Sequence, residues 1–96
     1  MVRHIVMFWL KDKSSQNIEE AAQKLQSMTG KIEGMISLEV GIDVLYSSRS
    51  CDLCLTTVFD SMESLERYRT HPVHLPVQAY MHAVRESSVS ADYYME

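Results

Sequence analysis

Val2-Arg3-His4-Ile5-Val6-Met7-Phe8-Trp9-Leu10, closed by Lys11-Asp12-Lys13, is the stretch on which the fold turns. β-Branched and aromatic residues crowd it and a charged cluster ends it, so Val2 to Lys11 reads as a strand. Successive side chains of a strand point to opposite faces. One face holds Val2, His4, Val6, Phe8 and Leu10; the other holds Ile5, Met7 and Trp9 between Arg3 and Lys11. Both faces are apolar. The run Asp52 to Asp60 reads the same way, with Leu53, Leu55, Thr57 and Phe59 on one side and Cys54, Thr56 and Val58 on the other. A strand apolar front and back needs cover on both sides.

Working outward, Ser14, Ser15 and Asn17 are cap candidates for a helix carrying Ile18, Ala21, Ala22, Leu25 and Met28 at helical spacing, with Gly30 as its stop. Gly34 opens Met35 to Val44, where Ile36, Leu38, Val40, Ile42 and Val44 alternate with Ser37, Glu39, Gly41 and Asp43. Leu45 to Ser50 is a polar connection. After the third strand, Ser61 caps a second helix with Met62, Leu65 and Tyr68 spaced three apart, and His71-Pro72 ends it. A third helix spans about His74 to Val84, with Pro76 in its first turn. Ser88 to Tyr94 is the last strand, Val89, Ala91 and Tyr93 sharing a side. The order β-α-β-β-α-α-β predicts one α+β domain over 1–96: a ferredoxin-like antiparallel four-stranded sheet with its helices on one face.

That architecture leaves the second face of the sheet bare. No segment remains to cover it, so a second copy of the chain is expected there, with Ile5, Met7 and Trp9 at the contact. Burying side chains of this kind is worth about 1.5–3 kcal/mol each, which outweighs the alternative of a wet apolar patch.

Composition agrees with a single soluble domain. The chain has 96 residues, 46% hydrophobic and 23% charged, which excludes collagen, coiled coil, disorder and a disulfide scaffold. A net charge of −4 argues against nucleic-acid binding. The six-residue apolar run Ile5 to Leu10 is too short for a signal peptide or a membrane span. Cys51 and Cys54 form a C-x-x-C spacing, but on a strand entry rather than a helix N-terminus, and no second pair completes a zinc site. They read as two reduced cysteines, one of them in the core, and fit a cytoplasmic location. No cofactor or metal is expected.

Five pieces then carry a resemblance: Val2-Arg3-His4-Ile5-Val6, Ser37-Leu38-Glu39-Val40-Gly41-Ile42-Asp43, Arg49-Ser50-Cys51-Asp52-Leu53, Tyr68-Arg69-Thr70-His71-Pro72-Val73-His74 and Asp92-Tyr93. In this order they resemble the stress-responsive α/β-barrel domain, the Dabb family, from Val2 to about Tyr94. The resemblance implies a dimeric α+β barrel in which two such sheets pack face to face. Some plant members are stress-associated homo-oligomers. One is a polyketide cyclase, which closes a linear poly-keto acid by intramolecular aldol condensation. Its catalytic Tyr and His fall by motif on Tyr68 and His74, and a pocket-lining His falls on His4. The implied pocket lies between sheet and helices of one subunit, and His4, Val6, Phe8 and His71 are expected in it. Helix one departs from the cyclase pattern, offering Ala21, Ala22, Leu25 and Met28 but no aromatic residue.

Each candidate has a plainer alternative. Tyr68 could be a core residue whose hydroxyl finds a carbonyl, and His74 could satisfy backbone groups at a helix start, where the helix dipole disfavours imidazolium. His71, fixed before Pro72, suits a structural part best. His82, near Arg85 and Glu86, reads as solvated. The sequence therefore leads to a homodimer that binds a small apolar or aromatic ligand. The alternatives are a cyclase-like enzyme using Tyr68 and His74 and, by fold analogy alone, a cofactor-free monooxygenase.

Overall fold

The computed structural model describes residues 1–95. Its elements are β1 (Val2–Leu10), α1 (Ser15–Gln26), β2 (Met35–Ile42), β3 (Leu53–Phe59), α2 (Met62–Arg69), α3 (His74–Val84) and β4 (Arg85–Tyr94). Ser14 caps α1 by accepting the Asn17 amide, and Ser61 caps α2 by accepting that of Ser64. α3 has no side-chain cap. Its entry is shaped by the His71-Pro72-Val73 connector, where the His71 carbonyl accepts the amides of His74 and Leu75.

The strands pair in the order β2-β3-β1-β4, every pair antiparallel, which is the ferredoxin-like fold. Val2, Phe8 and Leu10 of β1 and Leu53, Leu55 and Phe59 of β3 pack under Ala21, Ala22, Leu25, Leu65, Tyr68, Val77 and Met81 of the helices. This is the core, and its burial is the main term holding the subunit together.

Two features depart from the sequence reading. Met35 pairs with Phe59 and Ser37 with Val58, so Ile36 is the extra residue of a β-bulge. The bulge shifts the phase: Met35 packs against the core while Ile36 is exposed. Ile42 and Val44 are exposed as well, Ile42 lining a surface hollow with Lys13, Ile18 and Tyr46. β4 also begins earlier than expected, because Arg85 pairs with Leu10 and Ser87 with Trp9, leaving Glu86 as a second bulge residue.

The face without helices presents Arg3, Ile5, Met7 and Trp9 beside Val89, Ala91 and Tyr93, and on the other side Cys54, Thr56 and Val58. β2 closes it with Ser37, Glu39 and Gly41. Met7, Val89 and Tyr93 are exposed in the single chain; Ile5 and Trp9 are half-buried, and the Trp9 indole donates to the Ser50 carbonyl at 2.9 Å. Cys51 and Cys54 are both half-buried and unlinked, so neither sits in the core as the sequence reading had it. Burial and the neighbouring Cys54 push the Cys51 thiol up, away from reactivity.

Candidate functional site: a cavity between sheet and helices

β4 is an edge strand that the helices do not reach over fully. Its helix-side residues Ser88, Ser90 and Asp92 therefore form the wall of a cavity of about 480 Å³. Val6, Phe8 and Leu55 make its floor, Leu25 and Met28 its back, and Met62, Leu65, Val77 and Met81 its sides. The mouth is polar, with Glu66, Arg69, Gln78, His82 and Arg85 around it. His82 is exposed, as a solvated residue should be.

Tyr68, His74 and His4 meet inside this cavity. Leu65 and Tyr68, one helical turn apart on α2, point inward, and Tyr68 is 2% exposed. The His74 ring stacks on the Tyr68 ring at 3.9 Å between centroids and 27° between planes. Phe59 lies at 5.1 Å and the edge of His4 at 6.0 Å. Burial pushes the Tyr68 phenol up, so it stays a protonated donor through the physiological range. Among the described residues its hydroxyl finds only the Met28 Sδ at 3.9 Å, a weak acceptor.

His74 stands at the first position of α3 and its Nδ1 lies 3.3 Å from the Arg69 carbonyl. A carbonyl can only accept, so Nδ1 carries the proton and Nε2 keeps its lone pair. Burial holds His74 below the ordinary imidazole value, outweighing the backbone hydrogen bonds that would raise it. The ring is therefore neutral at pH 7, through desolvation more than through the helix dipole.

His4 is oriented by a residue the sequence reading had not given a role. Asp92 lies opposite it across the β1–β4 pair, and Asp92 Oδ1 accepts from His4 Nδ1 at 2.5 Å. In the neutral ring this tautomer turns Nε2 into the acceptor. The signal for Asp92 was its even position on β4, which matters only once Tyr94 is known to pair with Val2.

His71 does not line the cavity, contrary to expectation. Its Nδ1 accepts the Val73 amide at 3.0 Å, and its Nε2 lies 3.7 Å from Glu33 Oε2. The bend at Pro72 turns the ring toward the turn before β2, and His71 braces the α2–α3 connector. Among the described residues no three His, Cys, Asp or Glu side chains cluster to hold a metal, and no helix is long and apolar enough to cross a membrane.

Chemically, the cavity offers an apolar floor with one buried phenol donor and the two imidazole rings of His4 and His74 among its lining. It suits a small molecule with a flat apolar body and a carbonyl or hydroxyl oxygen for Tyr68.

The Stress responsive A/B Barrel Domain family model matches residues 2–95. No curated protein sequence matches the chain significantly. Among solved structures, a dimeric Bacteroides fragilis protein of unknown function with a ferredoxin-like fold is 24% identical, with 98% of this chain and 95% of that one covered and a TM-score of 0.82. An Arabidopsis thaliana protein is 23% identical, with 100% and 96% covered and a TM-score of 0.85. A hydroxynitrile lyase from Passiflora edulis is 18% identical, with 99% and 93% covered and a TM-score of 0.85. These likenesses are likenesses of fold.

Proposed function

Because this chain belongs to the stress responsive A/B barrel domain family, we propose that it acts as a homodimer whose subunits each bind a small apolar or aromatic molecule between sheet and helices. The unit is a single domain over 1–96, its bare sheet face covered by a second copy at Ile5, Met7 and Trp9. Its two unlinked cysteines fit a reducing cytoplasm. The observation that carries the ligand reading is the Tyr68 hydroxyl. A buried polar group needs a hydrogen-bond partner, and among the described residues this one has only a thioether while it borders a cavity of about 480 Å³. That volume falls in the range of small-molecule sites, about 300–1,000 Å³. A ligand oxygen would complete the pair.

A second reading makes the site cyclase-like, and the free Nε2 of a neutral His74 favours it. His74 Nε2 would take an acidic proton from a carbon beside a carbonyl. That C–H electron pair would form the new C–C bond at a second carbonyl carbon as its C=O π pair moves onto the oxygen, which accepts the Tyr68 hydrogen bond and then takes the proton back from His74. His4, held by Asp92, would position the substrate.

A thermal-shift screen of phenolic and polyketide-like aromatic acids tests both. At one hundred times Kd a ligand should stabilise the wild type by about 2.7 kcal/mol, a shift of about 11–22 °C. Tyr68→Phe should weaken the same ligand by about two- to tenfold, the worth of one hydrogen bond of about 0.5–1.5 kcal/mol. Turnover lost in His74→Ala would select the enzyme, and binding without turnover the plain carrier. No shift with any compound at high excess would remove the ligand reading.

A further inference from the structure

Where the pairing fixes the face of a described strand residue, the bare face carries two charged side chains, Arg3 on β1 and Glu39 on β2. Arg3 Nη1 donates to the Tyr93 hydroxyl at 3.3 Å, and the guanidinium sits 5.9 Å from the Tyr93 ring centre. Its Nε is buried and has no hydrogen-bond partner. Arg3 is not among the residues paired with a carboxylate. Glu39 is exposed and equally unpaired among the described residues. The two do not meet within one chain, because β3 runs between their strands.

We infer that Arg3 of one subunit pairs with Glu39 of the second copy, and that this contact, made twice, sets the register of the dimer. The inference rests on the homodimer proposed above. A two-fold interface is self-complementary, so a contact from position 3 to position 39 is repeated from 39 to 3. The other residues of the face around Arg3 are uncharged: Ile5, Thr56, Val58 and Tyr93, with Ser37 on β2 and Met7, Val89 and Ala91 further along. Covering it by anything that brings no acceptor leaves a guanidinium desolvated and unsatisfied, which is strongly unfavourable. A second copy brings one, since Glu39 is the face's own carboxylate. The pair also works against sliding, because a shifted register would leave both charges facing uncharged side chains.

Charge reversal provides the test, read as mass by sedimentation velocity at micromolar concentration. Arg3→Glu alone places two carboxylates at each contact, and Glu39→Arg alone two guanidiniums. Each should lose at least a hundredfold in dimer affinity and run as a monomer, with wild-type circular dichroism. An equimolar mixture of the two should run as a dimer, because both of its contacts are again Glu to Arg. The neutral variants Arg3→Gln and Glu39→Gln complete a double-mutant cycle with at least tenfold coupling, which holds even should a reversal fail to fold. Single variants as dimeric as wild type, or zero coupling in the cycle, would overturn the pairing while leaving the dimer standing. A monomeric wild type would instead remove the homodimer itself.

Discussion

Met7→Glu is expected to leave the subunit folded and to abolish self-association. Met7 lies in the middle of the bare face, between Cys54 on β3 and Val89 on β4, and is 40% exposed in the single chain. A carboxylate there stays hydrated in a lone subunit and costs little, as surface changes usually do, within about 0.5 kcal/mol. In the proposed dimer it would remove two buried methionines, worth about 1.5–3 kcal/mol each. It also buries two carboxylates, at several kcal/mol per ion. The dimer Kd should therefore rise by more than about a thousandfold, since each 1.4 kcal/mol is tenfold. Trp9→Glu acts in the same direction but also breaks the indole bond to Ser50, so it confounds association with folding. Circular dichroism and thermal melting check the fold, and sedimentation checks the mass. A Met7→Glu protein that dimerises like wild type would place the interface elsewhere.

Gly34→Ala is expected to cost the subunit more than about 2 kcal/mol. Gly34 adopts φ +83°, a region that side chains other than glycine's enter at a penalty. A Cβ there would lie 2.2 Å from Ser64 Oγ and 2.5 Å from Ser64 Cβ. Ser64 cannot yield. It is 1% exposed, donates to Asp60, and is also tied to Ser61 and Arg67. Those serine hydroxyls in turn hold the Asp60 carboxyl below its usual range. Strained backbone contributes about 1–3 kcal/mol and overpacking about 1–3 kcal/mol. At about 4–8 °C per kcal/mol for a domain of this size, the melting temperature should fall by more than about 8 °C. Gly30→Ala is the matched control. Gly30 has φ +75° but open space where its Cβ would go, so it loses only the backbone term. Equal losses at the two glycines would show that the Ser64 contact does not govern the turn.

Part of this fold was legible from β1 and β3, whose two apolar faces marked them as strands needing cover on both sides; that they are the central pair follows from the pairing. The cap residues Ser14 and Ser61 and the stop at His71-Pro72 set the helices for local reasons that a sequence displays. The bulge at Ile36 was not legible, because an apolar residue at 36 keeps the alternation intact through the very point where the phase slips. The start of β4 was hidden too: Arg85, Glu86 and Ser87 have little strand preference and are strand because Leu10 and Trp9 pair with them. At the site, Pro76 in the first turn of α3 located His74, whereas Asp92 depended on a register between the first and last strands. His71 shared a motif with His74 but not a direction, since Pro72 bends the chain between them. Met28, on the helix that offers no aromatic residue, is the weak partner that leaves the Tyr68 hydroxyl available.

Whether the helix-free face of the sheet is shared between two chains decides the proposed assembly. Sedimentation equilibrium of the wild type at micromolar concentration measures this directly. The expected mass is twice the 11.0 kDa of the chain, unchanged across a tenfold dilution. A single species at the mass of one chain, with Met7, Val89 and Tyr93 left in water, would contradict it.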